Sequence, residues 1–463
     1  MTRLVPADSS AIPIQIVSRE GFNDWQAAQP EPVRNWARVQ RFEGAPGQTL
    51  CLPGDKGELV QVVVGATPAS PLWTLALLPD SLPAGCYRLA EDIDAAQLEL
   101  LLLGFLIGGY RFTRYSGKAP EGVTLAVSDQ SLLKRVSDIA AAWSLARDLV
   151  NTPTEDLGPA ELAEVAAAVA KRHDATIRVV VGQALLEQNF PAIHAVGRAS
   201  HRAPRLIELD WGDPGDPAVT LVGKGVCFDT GGLNIKGGEG MALMKKDMGG
   251  AAVALGLAQL VMAQRLPVRL KLLIPAVENA LGPDSYRPGE VINTRPGLRV
   301  EIGNTDAEGR LILGDALSYA GEQRPELLLD FATLTGAARV ALGADLPALF
   351  SDDDGLADGL LAGGRAVGDP LWRMPLWDDY LLDLSSAIAD LNNAGSSRMG
   401  GAITAALYLK RFVPAGLPWA HVDTYCWNPK ARPGRPPGGE AQSLRAAFSY
   451  LEWRYSEQPE QRR

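Results

Sequence analysis

Histidine and cysteine are scarce in this chain, with four of each among 463 residues. His173, His194, His201 and His421 stand singly, in no H-E-x-x-H or H-x-x-E-H arrangement, which excludes a site organised by imidazole ligands. Cys51, Cys86, Cys227 and Cys426 are far apart and form no C-x-x-C. A disulfide framework and a zinc ribbon are thereby excluded, and a reduced, cytoplasmic setting is expected. Long apolar runs are missing too: the longest, Leu100 to Tyr110, has 11 residues, against the ~20 that span a bilayer. It is expected to be buried core. The start, MTRLVPADSSAIPIQIVS, lacks the continuous apolar stretch of a secretory signal. Basic residues number 44 against 54 acidic, a formal charge of −10. That balance argues against an extended nucleic-acid-binding face.

What the chain does have is ordinary globular composition, 46% hydrophobic and 21% charged. Residues 1–130 mix short strand-like runs (IPIQIV, ELVQVVVG, WTLALLP) with Pro- and Gly-rich turns and one helical stretch, and are expected to form a small α/β domain. Residues 131–152 read as a connecting helix, because apolar residues recur at helical spacing until the turn signal Asn151-Thr152-Pro153. From 153 to 463 helical and strand-like patterns alternate. This predicts a larger catalytic α/β domain with a mainly parallel sheet, helices on both faces and its site at the carboxyl ends of the strands.

VGKGVCFDTGGL, Val222 to Leu233, invites three chemistries. A phosphate loop fails on spacing, since Lys224 is followed by Gly225 and no glycine stands five residues before Gly223. An aspartic protease needs a second Asp-Thr/Ser-Gly, and none occurs. Metal remains. Asp229 ends an apolar strand, where a carboxylate needs a partner. Asp306 and Glu308 stand two apart in a turn before a helix, and Asp247 stands at another helix start. Each of these three has a plain alternative as a helix cap or a helix-dipole charge. Together, four carboxylates at the strand ends of one sheet would repel unless cations lay among them. Two divalent ions balance that charge. Lys224 could add a neutral amine, since neighbouring cations penalise the ammonium form.

GKGVCFDTGG, the following Asn234-Ile235-Lys236, MKKDMGGAA and NTDAEGRL closely resemble the leucine (cytosol) aminopeptidase family. The likeness extends through DFATLTGA, WRMPLWDDY, GGAITAALYLKRFV and GRPPGGEAQSLR, covering about Leu149 to Leu451. NTPTEDLGP and HVDTYCWNPKARPGRP depart from the better-known members. The resemblance implies a metal-dependent aminopeptidase with two divalent ions, zinc or manganese or magnesium, held by Lys224, Asp229, Asp247, Asp306 and Glu308, with Asp229 and Glu308 bridging. It implies Lys236 and Arg310 as catalytic residues, with bicarbonate on the arginine as general base. It also implies that Met244, Thr333 and Gly336 line the pocket for the first side chain, that the Leu334 backbone contacts substrate, and that the protein is a homohexamer acting on peptides with a free N-terminus. The rival expectations are another two-metal hydrolase, such as a phosphoesterase, and a DNA-binding or scaffold role.

Overall fold

The computed structural model describes residues 3–90, 93–116 and 122–456. Two compact units emerge: Met1–Ser144 with Lys430–Pro437, and Leu145–Pro429 with Gly438–Arg463. The division falls inside the helix Gln130–Asn151.

In the first unit six strands form one sheet, in the order Arg3–Pro6, Val123–Val127, Gly85–Leu89, Ile12–Val17, Leu59–Gly65, Thr49–Pro53. Every pairing is parallel except the last. Val17, Trp25, Phe42, Leu50 and Val63 pack together in its core. The expected strand WTLALLP is instead a 3-10 turn, Pro71–Trp73, and a short helix, Leu78–Ser81. The reason is local: Pro71 and Pro79 each sit in a first helical turn, where a fixed φ suits and no N–H is missed. The apolar run after Ile93 forms the helix Ala95–Gly108, buried from Leu101 to Phe105 as expected of core. Gly104 and Gly108 let it approach the carbonyls of Leu72 and Ala76, which any β-carbon there would strike.

The second unit is built on a nine-stranded sheet. Eight strands run in the order Trp372–Arg373, Ala348–Phe350, Trp419–Asp423, Leu327–Ala332, Ala218–Gly223, Arg269–Asn279, Arg205–Trp211, Thr176–Val181, and Gly225–Asp229 pairs beside the end of Arg269–Asn279. The centre is parallel, with antiparallel strands toward both edges. Side chains alternate between faces, so Val222 joins a core with Leu273, Leu311 and Leu328, while Gly223 faces Gly250 and Ala251 on the opposite helix. That helix, Gly249–Ala263, is apolar nearly all round and buried along its length, as expected of a helix with no solvent face. Helices thus cover both faces, and the mixed α/β architecture matches expectation. Among the described residues no helix is long and apolar enough to cross a membrane.

Two further sequence expectations change. The segment LRVEIGN leading into Asp306 is not a strand of the main sheet. Only Arg299–Glu301 is extended, in a separate sheet with Val291–Asn293 and Leu391–Asn392. Asp247 is likewise off the strand ends, in the 3-10 turn Met244–Met248. The acidic loops come from two sheets and a helix entry.

Candidate metal centre

Lys224 stands at a break in the sheet. Ala218–Gly223 pairs with the first half of Arg269–Asn279, whereas Gly225–Asp229 pairs with Ala276–Asn279, with a bulge between Val226 and Phe228. At the break the Lys224 N–H donates to the Phe331 carbonyl at 2.9 Å and its own carbonyl accepts from Ala251 N at 2.9 Å. Its side chain is buried. The ammonium donates to the Thr333 carbonyl at 3.1 Å and lies 2.7 Å from Asp247 Oδ2 and 2.9 Å from Glu308 Oε1. Gly309 makes room for it, because a β-carbon there would lie 2.5 Å from Lys224 Cε.

Asp229 ends its strand with Oδ1 accepting from Gly231 N at 2.9 Å and Asn279 Nδ2 at 2.8 Å. Gly231 and Gly232, at φ of +86° and +61°, turn the chain back in a region that other residues enter only under strain. The turn brings Lys236 Nζ to 2.9 Å from Asp229 Oδ2 and into contact with Asp306 Oδ1. Thr305 ties the two loops together: its hydroxyl donates to the Gly231 carbonyl at 2.6 Å, and its N–H donates to Asn234 Oδ1 at 2.8 Å. Its carbonyl accepts from Asn279 Nδ2 at 3.0 Å and from the Tyr286 hydroxyl at 2.7 Å.

The helix-cap alternatives fail. The helix Glu308–Glu322 is capped by Ala307 and Gly249–Ala263 by Met248, neither with a side-chain bond. Asp306 and Asp247 turn inward instead. One carboxylate oxygen each from Asp229, Asp306 and Glu308 lies within 4.8 Å of the others. Asp247 joins them through Lys224, and its Oδ1 accepts from the Thr333 hydroxyl at 2.8 Å.

Four carboxylates therefore face the Lys224 and Lys236 ammoniums, with Lys246 Nζ 3.9 Å from Asp247 Oδ1, which still leaves negative charge in excess in a buried site. Its effect is visible in the acids. Burial, and then the Asp229 charge, pushes Glu308 up to about 8 and Asp306 up to about 6. Burial opposes the Lys224 and Lys236 ammoniums, but the surrounding carboxylates outweigh it and raise both. Asp247 Oδ2, Asp306 Oδ1 and Glu308 Oε1 are buried without a hydrogen-bond partner. Apart from the ammoniums at ion-pair distance, these oxygens are unpartnered, and such a set of oxygen donors suits divalent cations.

Arg310, in the first turn of its helix, is buried. Its Nη1 donates to the Asn393 carbonyl at 2.8 Å, and its guanidinium lies 5.8 Å from the Tyr408 ring centre. Met244 lies in the turn that carries Asp247, and Gly336 opens the helix Gly336–Leu342. Leu334 N donates to Asp423 Oδ1 at 2.9 Å, and Asp423 also accepts from Thr335 N and the Thr335 hydroxyl. All eleven expected site residues thus lie in the second unit. Sequence reading missed Asn279, Thr305, Asn393 and Asp423. Thr305 lies inside NTDAEGRL and Asp423 inside HVDTYCWNPKARPGRP, and both could have been suspected; Asn279 and Asn393 sit outside the motifs.

Comparison with known proteins identifies the family. The profile described as "Cytosol aminopeptidase family, catalytic domain" matches residues 144–446, and "M17 aminopeptidase, N-terminal domain" matches residues 12–128. The chain is 41% identical over 373 residues to a probable cytosol aminopeptidase of Syntrophotalea carbinolica, covering 77% of this chain and 75% of that one. The crystal structure of the cytosol aminopeptidase from Coxiella burnetii is similar at a TM-score of 0.95 and 48% identity, over 98% of this chain and 99% of that one. The bottromycin maturation enzyme BotP in complex with Mn is similar at a TM-score of 0.87 and 33% identity, over 96% of this chain and 99% of the other. The chain belongs to the cytosol aminopeptidase family and is a metal-dependent aminopeptidase.

Proposed function

We propose that Lys224, Asp229, Asp247, Asp306 and Glu308 would hold two divalent ions, which the enzyme uses to release N-terminal residues from peptides. The observation that carries this reading is the buried convergence of Asp229, Asp306 and Glu308 beside carboxylate oxygens without hydrogen-bond partners. Bound there, the ions supply Lewis-acid chemistry, gripping a free amine and acidifying water. The ligand set is oxygen with one amine, which admits zinc, manganese or magnesium; the manganese complex of a similar protein supports manganese.

Lys236, beside Asp229 and Asp306, donates in this reading to the oxygen that becomes negative as the scissile carbonyl is attacked. Arg310 would hold a bicarbonate through its planar fork, and the anion would supply a general base beside the acidic centre. Met244, Thr333 and Gly336 line the pocket for the first side chain, and the Leu334 backbone, fixed by Asp423, contacts the substrate. The protein works as a homohexamer of ~300 kDa, a closed symmetric assembly, in the cytoplasm. Support for both comes from the family likeness and the relatives' name.

Exhaustive chelation is expected to abolish cleavage of a leucyl nitroanilide, with Mn²⁺ or Zn²⁺ restoring it. N-acetylated peptides are expected to resist, because acetylation removes the amine the site must grip. Efficient cleavage of blocked peptides would contradict the exopeptidase reading.

A further inference from the structure

Asn393 follows the two-residue strand Leu391–Asn392 of the satellite sheet, 83 positions beyond Arg310, and is fully buried. Its amide has two acceptor and two donor positions, and all four are used on one loop. Oδ1 accepts from Gly303 N at 2.8 Å and Asn304 N at 3.1 Å. Nδ2 donates to the Asn304 carbonyl at 2.7 Å and the Ala307 carbonyl at 3.3 Å. The same residue's backbone N–H donates to the Glu301 carbonyl at 3.0 Å, and its backbone carbonyl accepts from Arg310 Nη1 at 2.8 Å. One residue therefore fastens the loop on both sides of Asp306, up to Ala307 next to Glu308, and holds the guanidinium that follows it.

The consequence lies in what is left of Arg310. One nitrogen is committed to a carbonyl that cannot move, because the side chain of the residue bearing that carbonyl is locked into the acidic loop. Nε is buried without a hydrogen-bond partner, and the Tyr408 ring flanks the guanidinium. A planar anion needs a guanidinium edge that is free and correctly turned. We propose that Asn393 is the positioning residue for anion binding: it fixes the orientation of Arg310 relative to Asp306 and Glu308, so that the free edge presents bicarbonate to the acidic centre. This rests on the reading of Arg310 as the bicarbonate holder. It extends that reading to a residue outside the motifs, and it explains why an amide is needed. A carboxylate at 393 would still accept from Gly303 and Asn304, but would place negative oxygens against the Asn304 and Ala307 carbonyls.

The test measures activity against bicarbonate concentration for the metal-loaded native enzyme, Asn393→Asp and Asn393→Ser. Both variants are expected to need roughly 10–100-fold more bicarbonate for half-activation, in the range seen when an outer partner of a ligand is lost. KM for the nitroanilide is expected to change little, and saturating bicarbonate to restore much of kcat. In an Arg310→Lys background the same substitutions are expected to add little, since the two residues act as one unit. A second readout needs no variant. Bicarbonate added to the metal-loaded native enzyme without substrate is expected to slow amide hydrogen exchange in the peptide covering residues 303–310. An unshifted half-activation in a folded variant, or unchanged exchange in a native enzyme that bicarbonate activates, overturns the role of Asn393 alone. A native enzyme indifferent to bicarbonate overturns the anion reading, and the positioning role with it.

Discussion

Lys224 and Lys236 both end among carboxylates, yet they have different surroundings. Lys224 is buried and backed by Gly309, whereas Lys236 rides on the Gly231-Gly232 turn and remains partly open. Lys224→Ala is therefore expected to lose metal first and activity as a consequence. Lys236→Ala is expected to keep both metals and lose about 10²–10³ in kcat, the cost of one oxyanion donor. Metal content by elemental analysis beside kcat separates the two, and full occupancy in Lys224→Ala would refute its role. The acids give a pH prediction. Glu308 and Asp306 hold protons in the folded, metal-free protein to about 8 and about 6, above their ordinary values of 4.5 and 3.8. Their contribution to stability is complete below those ordinary values and is lost as pH rises through the folded ones. Metal replaces the proton, so the gap in Tm between loaded and chelated protein is expected to widen from pH 6 to pH 8. A gap that stays constant across that range in calorimetry would contradict the charge balance proposed for the site.

At the scale of elements, the helix Glu308–Glu322 carries the sharpest conflict between propensity and function. Gly309 weakens its first turn by up to ~1 kcal/mol relative to alanine, yet alanine there would press on Lys224. Gly309→Ala is expected to lose metal affinity although the helix itself gains propensity. Unchanged manganese affinity by titration calorimetry would show that the close approach has no consequence. Much of the element layout was legible in the sequence, because apolar periodicity and turn residues mark helices and strands locally. WTLALLP was misread because its proline positions, rather than its apolar content, decide its shape. The segment before Asp306 was misread because a three-residue strand in a separate sheet has no pattern of its own. At residue level the motif acids and lysines could be read as chemistry, since charged groups at the ends of apolar runs need partners. Asn279 and Asn393 could not. Their partners lie 50 residues away, at Asp229, and 83 residues away, at Arg310, and only the folded chain reveals a filled set of hydrogen bonds.

Across the whole molecule, the proposed chemistry lies within the second unit, where strands of the main sheet, a satellite sheet and two helix starts bring four carboxylates together. Sequence reading expected those acids at the ends of one sheet; the structure clusters Asp229, Asp306 and Glu308 on a scaffold that differs in part. The mismatch follows from topology, because the acidic loops approach from different elements while their spacing in sequence stays the same. The most direct test of the central claim is anomalous diffraction from a manganese-loaded crystal of the native enzyme. Two separate peaks are expected among Lys224, Asp229, Asp247, Asp306 and Glu308, with Asp229 and Glu308 contacting both. A single peak, or peaks outside these five side chains, would contradict the two-metal assignment.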